Sequence, residues 1–234
     1  MRASKLLIVA IALLFVAGTV FANGQGESGA IKIGVAGAHS GDLASYGIPT
    51  VHAAEIVVEE INANGGIGCR MVELVVEDDQ CKPEVATNTA AKLVGEGVVA
   101  VIGHICSGAT RSALGIYTSE NIVTISPSAT SPPLTQSGEF PVFFRTIAPD
   151  DAQGQLQAAF AAEELGLESV AILHDGGDYG QGLADFARVA LEENYSNVEI
   201  VLYEGVTPGA VDYSAIINRV AQSGAEGVIF GGYH

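Results

Sequence analysis

The chain has 234 residues, 27 acidic against 10 basic for a net charge of −17, and 48% of them are hydrophobic. Such acidity argues against a nucleic-acid partner, because phosphates select basic surfaces. The hydrophobic residues recur in ordered periods, so the acidic excess reads as a solvated surface on a folded chain rather than as disorder.

In chain order, Arg2 and Lys5 precede an uncharged run from Leu6 to Val20, then Val20-Phe21-Ala22, with small residues where a signal peptidase reads. This is the pattern of a secretory leader over residues 1–22. The run is shorter than the roughly 20 apolar residues a membrane span needs, and no Cys stands at the cleavage point to carry a lipid. The expectation is an exported chain, free in an extracytoplasmic space. Three cysteines in such a chain suggest one disulfide and one spare thiol.

From Ile31 onward, strands and helices alternate. Ile31 to Gly37 reads as a buried strand, Thr50 to Asn62 as a helix with Val51, Ala54, Val57, Val58 and Ile61 on one face, and Asn64-Gly65-Gly66 as its stop. Strands follow over Met71 to Val76, Val98 to Gly103 and Ile122 to Ile125, with helices over Val85 to Val94 and Ala109 to Thr118 between them. Turn residues from Ser131-Pro132-Pro133 to Pro141 break the rhythm. A boundary near Ala148-Pro149 divides residues 23–148 from residues 149–234. The alternation then resumes: helix Asp151 to Leu165, strand Ser169 to His174, helix Tyr179 to Glu193, strand Val198 to Tyr203, helix Tyr213 to Ser223 and strand Gly227 to Phe230. This pattern predicts an α/β fold with two parallel sheets flanked by helices, joined by right-handed crossovers. A last strand without a helix after it is expected to continue into a further segment.

In open parallel sheets, ligands bind beyond the carboxyl ends of the strands. Those segments are Ser40 to Tyr46, His104 to Ser107, Ser126 to Thr130, Asp175 to Tyr179 and Gly231 to His234, all rich in hydroxyls, glycines and tyrosines. The glycines from Gly34 to Gly41 are not spaced for a dinucleotide, and no Gly-Lys-Ser/Thr ending makes a phosphate loop. His104, Cys106, Asp78, Asp79 and Cys81 match no zinc-ligand spacing and read as a disulfide with solvated aspartates. His39, His52, His174 and His234 are scattered singly, and Ser107 lies in no nucleophile elbow. We therefore expect no catalytic set, no metal and no cofactor. Ser107 opens a helix, where its hydroxyl caps free amides or, with them, binds a carboxylate.

Six motifs resemble the periplasmic leucine/isoleucine/valine-binding proteins of the type I solute-binding class. They run from Gly37 to Gly47, Ile61 to Ile67, Val101 to Ser107, Pro127 to Thr130, His174 to Gly180 and Gly231 to His234, in the family's order and approximate spacing. The resemblance implies a two-lobed fold with the ligand between the lobes, residues 23–148 forming the first lobe without its return segment and residues 149–234 an incomplete second lobe. It implies that Ser107 and Thr130 hold the carboxylate and ammonium of an amino acid, that the Ser128 carbonyl accepts from the ammonium, and that Tyr46, Tyr179 and Tyr233 wall the side-chain pocket. Ser128 stands where the family usually has Ala, a change that a backbone contact survives. The resemblance also pairs Cys81 with Cys106 and leaves Cys69 outside the pattern. It places a further acidic partner for the ammonium on a segment beyond His234. The function implied is that of a monomeric, non-enzymatic receptor delivering branched-chain amino acids to a membrane ABC permease. A binding protein for urea, a short amide or another small acid, and the ligand-sensing domain of a receptor, remain as alternatives.

Overall fold

The computed structural model describes residues 29–233, so the leader expected over residues 1–22 and the terminal His234 lie outside the described residues. Strands β1 (Ile31–Gly37), β2 (Val72–Asp78), β3 (Ala100–Ile102), β4 (Val123–Ser126) and β5 (Phe143–Arg145) form one sheet in the order β2-β1-β3-β4-β5. All of its pairings are parallel. Strands β6 (Ser169–His174), β7 (Glu199–Gly205) and β8 (Gly227–Gly231) form a second parallel sheet in the order β7-β6-β8. In both sheets the first strand lies inside its neighbours, which puts the chain reversal, and hence a crevice, at its carboxyl end.

Helices α1 (Ala44–Ala63), α2 (Pro83–Gly95) and α3 (Ser107–Ser119) serve the first sheet. Leu93, Ala109, Ala113, Leu114 and Tyr117 of α2 and α3 pack with Ala36 and Val101 in a core of fully buried side chains. The other face, lined by Ile33, Leu74, Ile102 and Ile125, is covered by α1 only in part. In β4 the apolar residues lie on that open face: Thr124 and Ser126 are buried, whereas Val123 and Ile125 are exposed. Phe144, paired with Ile125 across β4 and β5, is exposed beside it.

The second sheet has α5 (Asp150–Ala159), α6 (Asp178–Asn194) and α7 (Ser214–Ser223). Val170, Ile172 and Ile229 of the strands meet Ala158, Ala184, Ala187 and Leu191 of α5 and α6 in a second core. Gly154 lets these helices close up, because a Cβ there would fall against Phe186 and the Ala187 amide.

Several elements depart from the sequence expectation. Helix α1 begins at Ala44, not Thr50, and carries Pro49 inside it. Proline fits the helical φ but forfeits the amide that would have bonded the Ser45 carbonyl and crowds that carbonyl with its ring. Gly47 permits this early start: a Cβ there would clash with the Ala38 carbonyl, so the first turn lies directly on the end of β1. The turn-rich stretch hides a short helix, α4 (Pro133–Gln136), and the edge strand β5 after it, too short to show a period. Helix α5 ends in a wider π-helical turn, Phe160–Glu164.

Candidate functional site

The carboxyl ends of the strands face a cavity of about 290 Å³ lined by Tyr46, Ser128, Thr130, Ile147, Gln153, Tyr179, Gly232 and Tyr233. Five of the six residues named from the sequence thus meet at one place, although they come from segments up to 187 positions apart. The sixth, Ser107, is buried just behind the wall, with its backbone N–H beside the Tyr233 hydroxyl. The Ser107 hydroxyl oxygen accepts from the Ser131 N–H at 3.2 Å. That bond fixes the first turn of α3 to the loop after β4.

Three aromatic rings form one wall. Tyr233 packs edge-on to Tyr46, with centroids 5.8 Å apart, and tilted against Tyr179 at 4.9 Å. Burial raises the hydroxyl pKa of both Tyr179 and Tyr233, so at neutral pH these groups are neutral donors with apolar ring faces. The two sheets also meet through an ion pair, Arg111 Nε of α3 donating to Asp178 Oδ2 of α6 at 2.7 Å.

A buried hydrogen-bond network supports the hydroxyl-lined side. His104 bridges Asp79 Oδ2 at 2.5 Å and the Tyr117 hydroxyl at 3.0 Å, all three fully buried. A carboxylate only accepts, so Nδ1–H donates to Asp79. Asp79 also accepts from the Cys81 N–H at 2.7 Å, and Cys81 is disulfide-bonded to Cys106, with Cα atoms 5.4 Å apart. The Ser126 hydroxyl donates to the His104 carbonyl at 2.5 Å, and its oxygen accepts from the Ser128 and Ala129 N–H groups at 3.2 and 2.9 Å. The loops after β2, β3 and β4 are therefore one fixed unit. Asp79, expected to be a solvated aspartate, is with His104 an interior support, and Cys69 is an exposed free thiol.

Sequence reasoning missed Ile147, Gln153 and Asp150. Gln153 lies beside the Tyr179 hydroxyl and Ile147 is a partly exposed apolar wall. Asp150 is completely buried; burial raises its carboxyl pKa to about 6, and the adjacent Thr130 hydroxyl offsets this in part. In sequence, Asp150-Asp151 after Pro149 is an ordinary acidic helix start, and nothing marks it as interior.

A larger recess of about 690 Å³ opens on the other side of Tyr233, with Leu173, Val206, Ile216 and Phe230 in its walls. Its charged residues, Asp42 and Asp175, are both acidic and offer no donor to an anion. The smaller cavity combines the Ser128 and Thr130 hydroxyls, the nearby N-terminus of α3 and an aromatic wall, a combination that suits a small molecule with charged and apolar ends.

Comparison with known proteins bears on this arrangement. A family described as periplasmic binding protein matches residues 30–234. A leucine-, isoleucine-, valine-, threonine- and alanine-binding protein of Pseudomonas aeruginosa is 37% identical over 214 residues, covering 92% of this chain and 57% of the relative. The Leu/Ile/Val-binding protein of Escherichia coli K12 is 39% identical over 204 residues, covering 87% of this chain and 55% of the relative. Among solved structures, the branched-chain amino acid transporter substrate-binding protein of Streptococcus pneumoniae, in complex with isoleucine, superposes with a TM-score of 0.76 at 32% identity. That match covers 85% of this chain and 56% of the other. The chain therefore spans a little over half the length of these relatives. With parallel sheets flanked by helices and a family match across the described residues, the chain belongs to the periplasmic binding proteins, and its fold is that of their type I class.

Proposed function

We propose that this chain is the ligand-capturing part of an exported receptor that holds a branched-chain amino acid between two lobes and delivers it to a membrane ABC permease. The lobes are built on the two sheets and divide at Ala148-Pro149. The observation that carries this reading is the 290 Å³ cavity, where Ser128 and Thr130 stand opposite Tyr46, Tyr179 and Tyr233. It lies at the small end of the range of ligand pockets, which starts near 300 Å³.

In this reading the Ser107 hydroxyl and the amides of α3 take the ligand carboxylate, Thr130 and the Ser128 carbonyl take the ammonium, and the tyrosine rings cover the aliphatic side chain. Burying a leucine-sized side chain contributes roughly 1.5–3 kcal/mol. The polar groups treat all amino acids alike, so cavity shape must discriminate, and one methylene is worth only about 1–3 kcal/mol. Modest selectivity among leucine, isoleucine and valine follows. The names of the relatives from P. aeruginosa and E. coli, and the isoleucine bound in the S. pneumoniae protein, support the same ligand class.

A thermal-shift panel of the twenty amino acids, urea, acetamide and simple sugars tests the proposal. Leucine, isoleucine and valine should raise the melting temperature most. Stabilisation by urea, acetamide or a sugar alone would contradict it.

A further inference from the structure

A charged pair crosses from one sheet's helices to the other's beside the cavity. Arg111, on α3 of the first sheet, donates through Nε to Asp178 Oδ2, on α6 of the second, at 2.7 Å. Each partner belongs to a helix whose start serves the cavity. Ser107, four residues before Arg111, opens α3 behind the wall, and Tyr179, the residue after Asp178, is part of that wall. The two helix starts also lie in contact. A Cβ at Gly108 would stand 3.7 Å from the Asp178 Cβ and 3.6 Å from the Pro83 Cγ, so the first turn of α3 runs directly past the first residue of α6.

Local structure does not require the Asp178 carboxylate at this place. Helix α6 has no side-chain cap bond, so the group is available to reach across. Among the described residues, Arg111 makes its ion pair with Asp178 alone. Both side chains are 42% exposed, and that exposure decides what the pair can do. An exposed pair adds little to the stability of a core, and salt screens it. Across a junction between two separately packed units, the same small energy biases their relative position. The two cores are separate, one around α2 and α3 and the other around α5 and α6, so the junction is such a place.

We propose that Arg111 and Asp178 are positioning residues of the cavity: an electrostatic latch that holds the start of α6, and with it Tyr179, against the start of α3. Breaking the latch lets the tyrosine-bearing side move away from the Ser107 side, so a bound molecule leaves faster. A zwitterionic amino acid has no net charge to be steered, so its entry is little affected. The effect on retention rests on the amino-acid reading of the cavity, whereas the latch itself does not.

The latch is read without ligand, by energy transfer within single labelled chains at low concentration. One dye sits on the exposed Cys69 thiol, before β2, and the other on Glu193→Cys, an exposed position near the end of α6. In this chain Asp178→Arg sets two cations face to face and should shift the transfer efficiency. Salt at about 0.5 M should shift the parent the same way, and the exchange Arg111→Asp with Asp178→Arg should restore the parent value. Stopped-flow mixing with L-leucine gives the second readout. Asp178→Asn should release leucine roughly two- to fivefold faster at an unchanged association rate, and the exchanged pair should return to within about twofold of the parent. Equal transfer in the parent and Asp178→Arg would overturn the latch, as would a shift that the exchange does not restore. A shift with unchanged leucine release would overturn the positioning role. Transfer that behaves as expected in a parent that takes up no leucine would uphold the latch and sink the amino-acid reading instead.

Discussion

At the scale of single residues, the site depends on a few hydroxyls held by buried bonds. On the proposed reading, replacing Ser107 by Ala or Thr130 by Val removes a hydrogen bond to a charged ligand group, worth roughly 1.5–3 kcal/mol, so each should weaken leucine binding about tenfold or more. Calorimetry on the two variants checks this, and unchanged affinity in both would place the ligand elsewhere. Tyr117→Phe should act on stability instead. It leaves His104 Nε2 buried without its partner, at a cost of roughly 1–3 kcal/mol, measurable as a lowered urea midpoint with no change in the type of ligand bound. Asp150 predicts a pH dependence opposite in sign to that of an ion-paired aspartate. Its folded-state pKa is raised, to about 6, so the folded chain holds this proton more tightly than the unfolded chain, where the value is near 4. Its contribution to stability is therefore most favourable at acid pH and declines as pH rises from about 4 to about 6. Paired pH titrations of the parent and Asp150→Asn separate this step from other ionisations, since the step should vanish in the variant.

Among the elements, the loops after β2, β3 and β4 behave as one unit because Cys81–Cys106 and the Asp79–His104–Ser126 bonds lock them together. The disulfide closes 25 positions, which in the chain-entropy model is worth roughly 3–4 kcal/mol. Replacing both cysteines by Ser should lower the melting temperature by on the order of 10 °C, and an unchanged melting curve would show that the cross-link contributes nothing. Much of this architecture was legible in the sequence. β1, β6 and β8 are dense apolar runs ending at glycines or loop residues, and α6 shows a clear helical period, so both sheets and most strand ends could be placed. Because ligand sites in parallel sheets lie at those ends, the segments that hold Tyr46, Ser128, Thr130, Tyr179 and Tyr233 could be singled out from the pattern, and the family resemblance named the residues within them. The remainder depended on tertiary contacts. β5 has three residues, too few for a period; the start of α1 depends on Gly47 fitting against Ala38; and the burial of His104, Asp79 and Asp150 comes from helices that pack over them, which no local pattern records.

Over the whole molecule, two cores flank a narrow junction where Tyr46 meets Tyr233 and Arg111 meets Asp178. The first sheet also keeps an apolar face that α1 only partly covers, with Val123, Ile125 and Phe144 exposed. Contiguous exposed apolar surface of this kind promotes association, so the chain alone should bind the dye ANS and self-associate as its concentration rises. Sedimentation analysis showing a monodisperse monomer that does not bind ANS would contradict this. The central claim is that the tyrosine-walled cavity takes a branched-chain amino acid, and calorimetric titration with L-leucine, run on the parent chain and on the Ser107→Ala, Thr130→Val double variant, tests it most directly. Saturable binding with one leucine per parent chain, lost in a double variant that remains folded, is the predicted result. Equal binding by both proteins, or no binding by the folded parent, would contradict it.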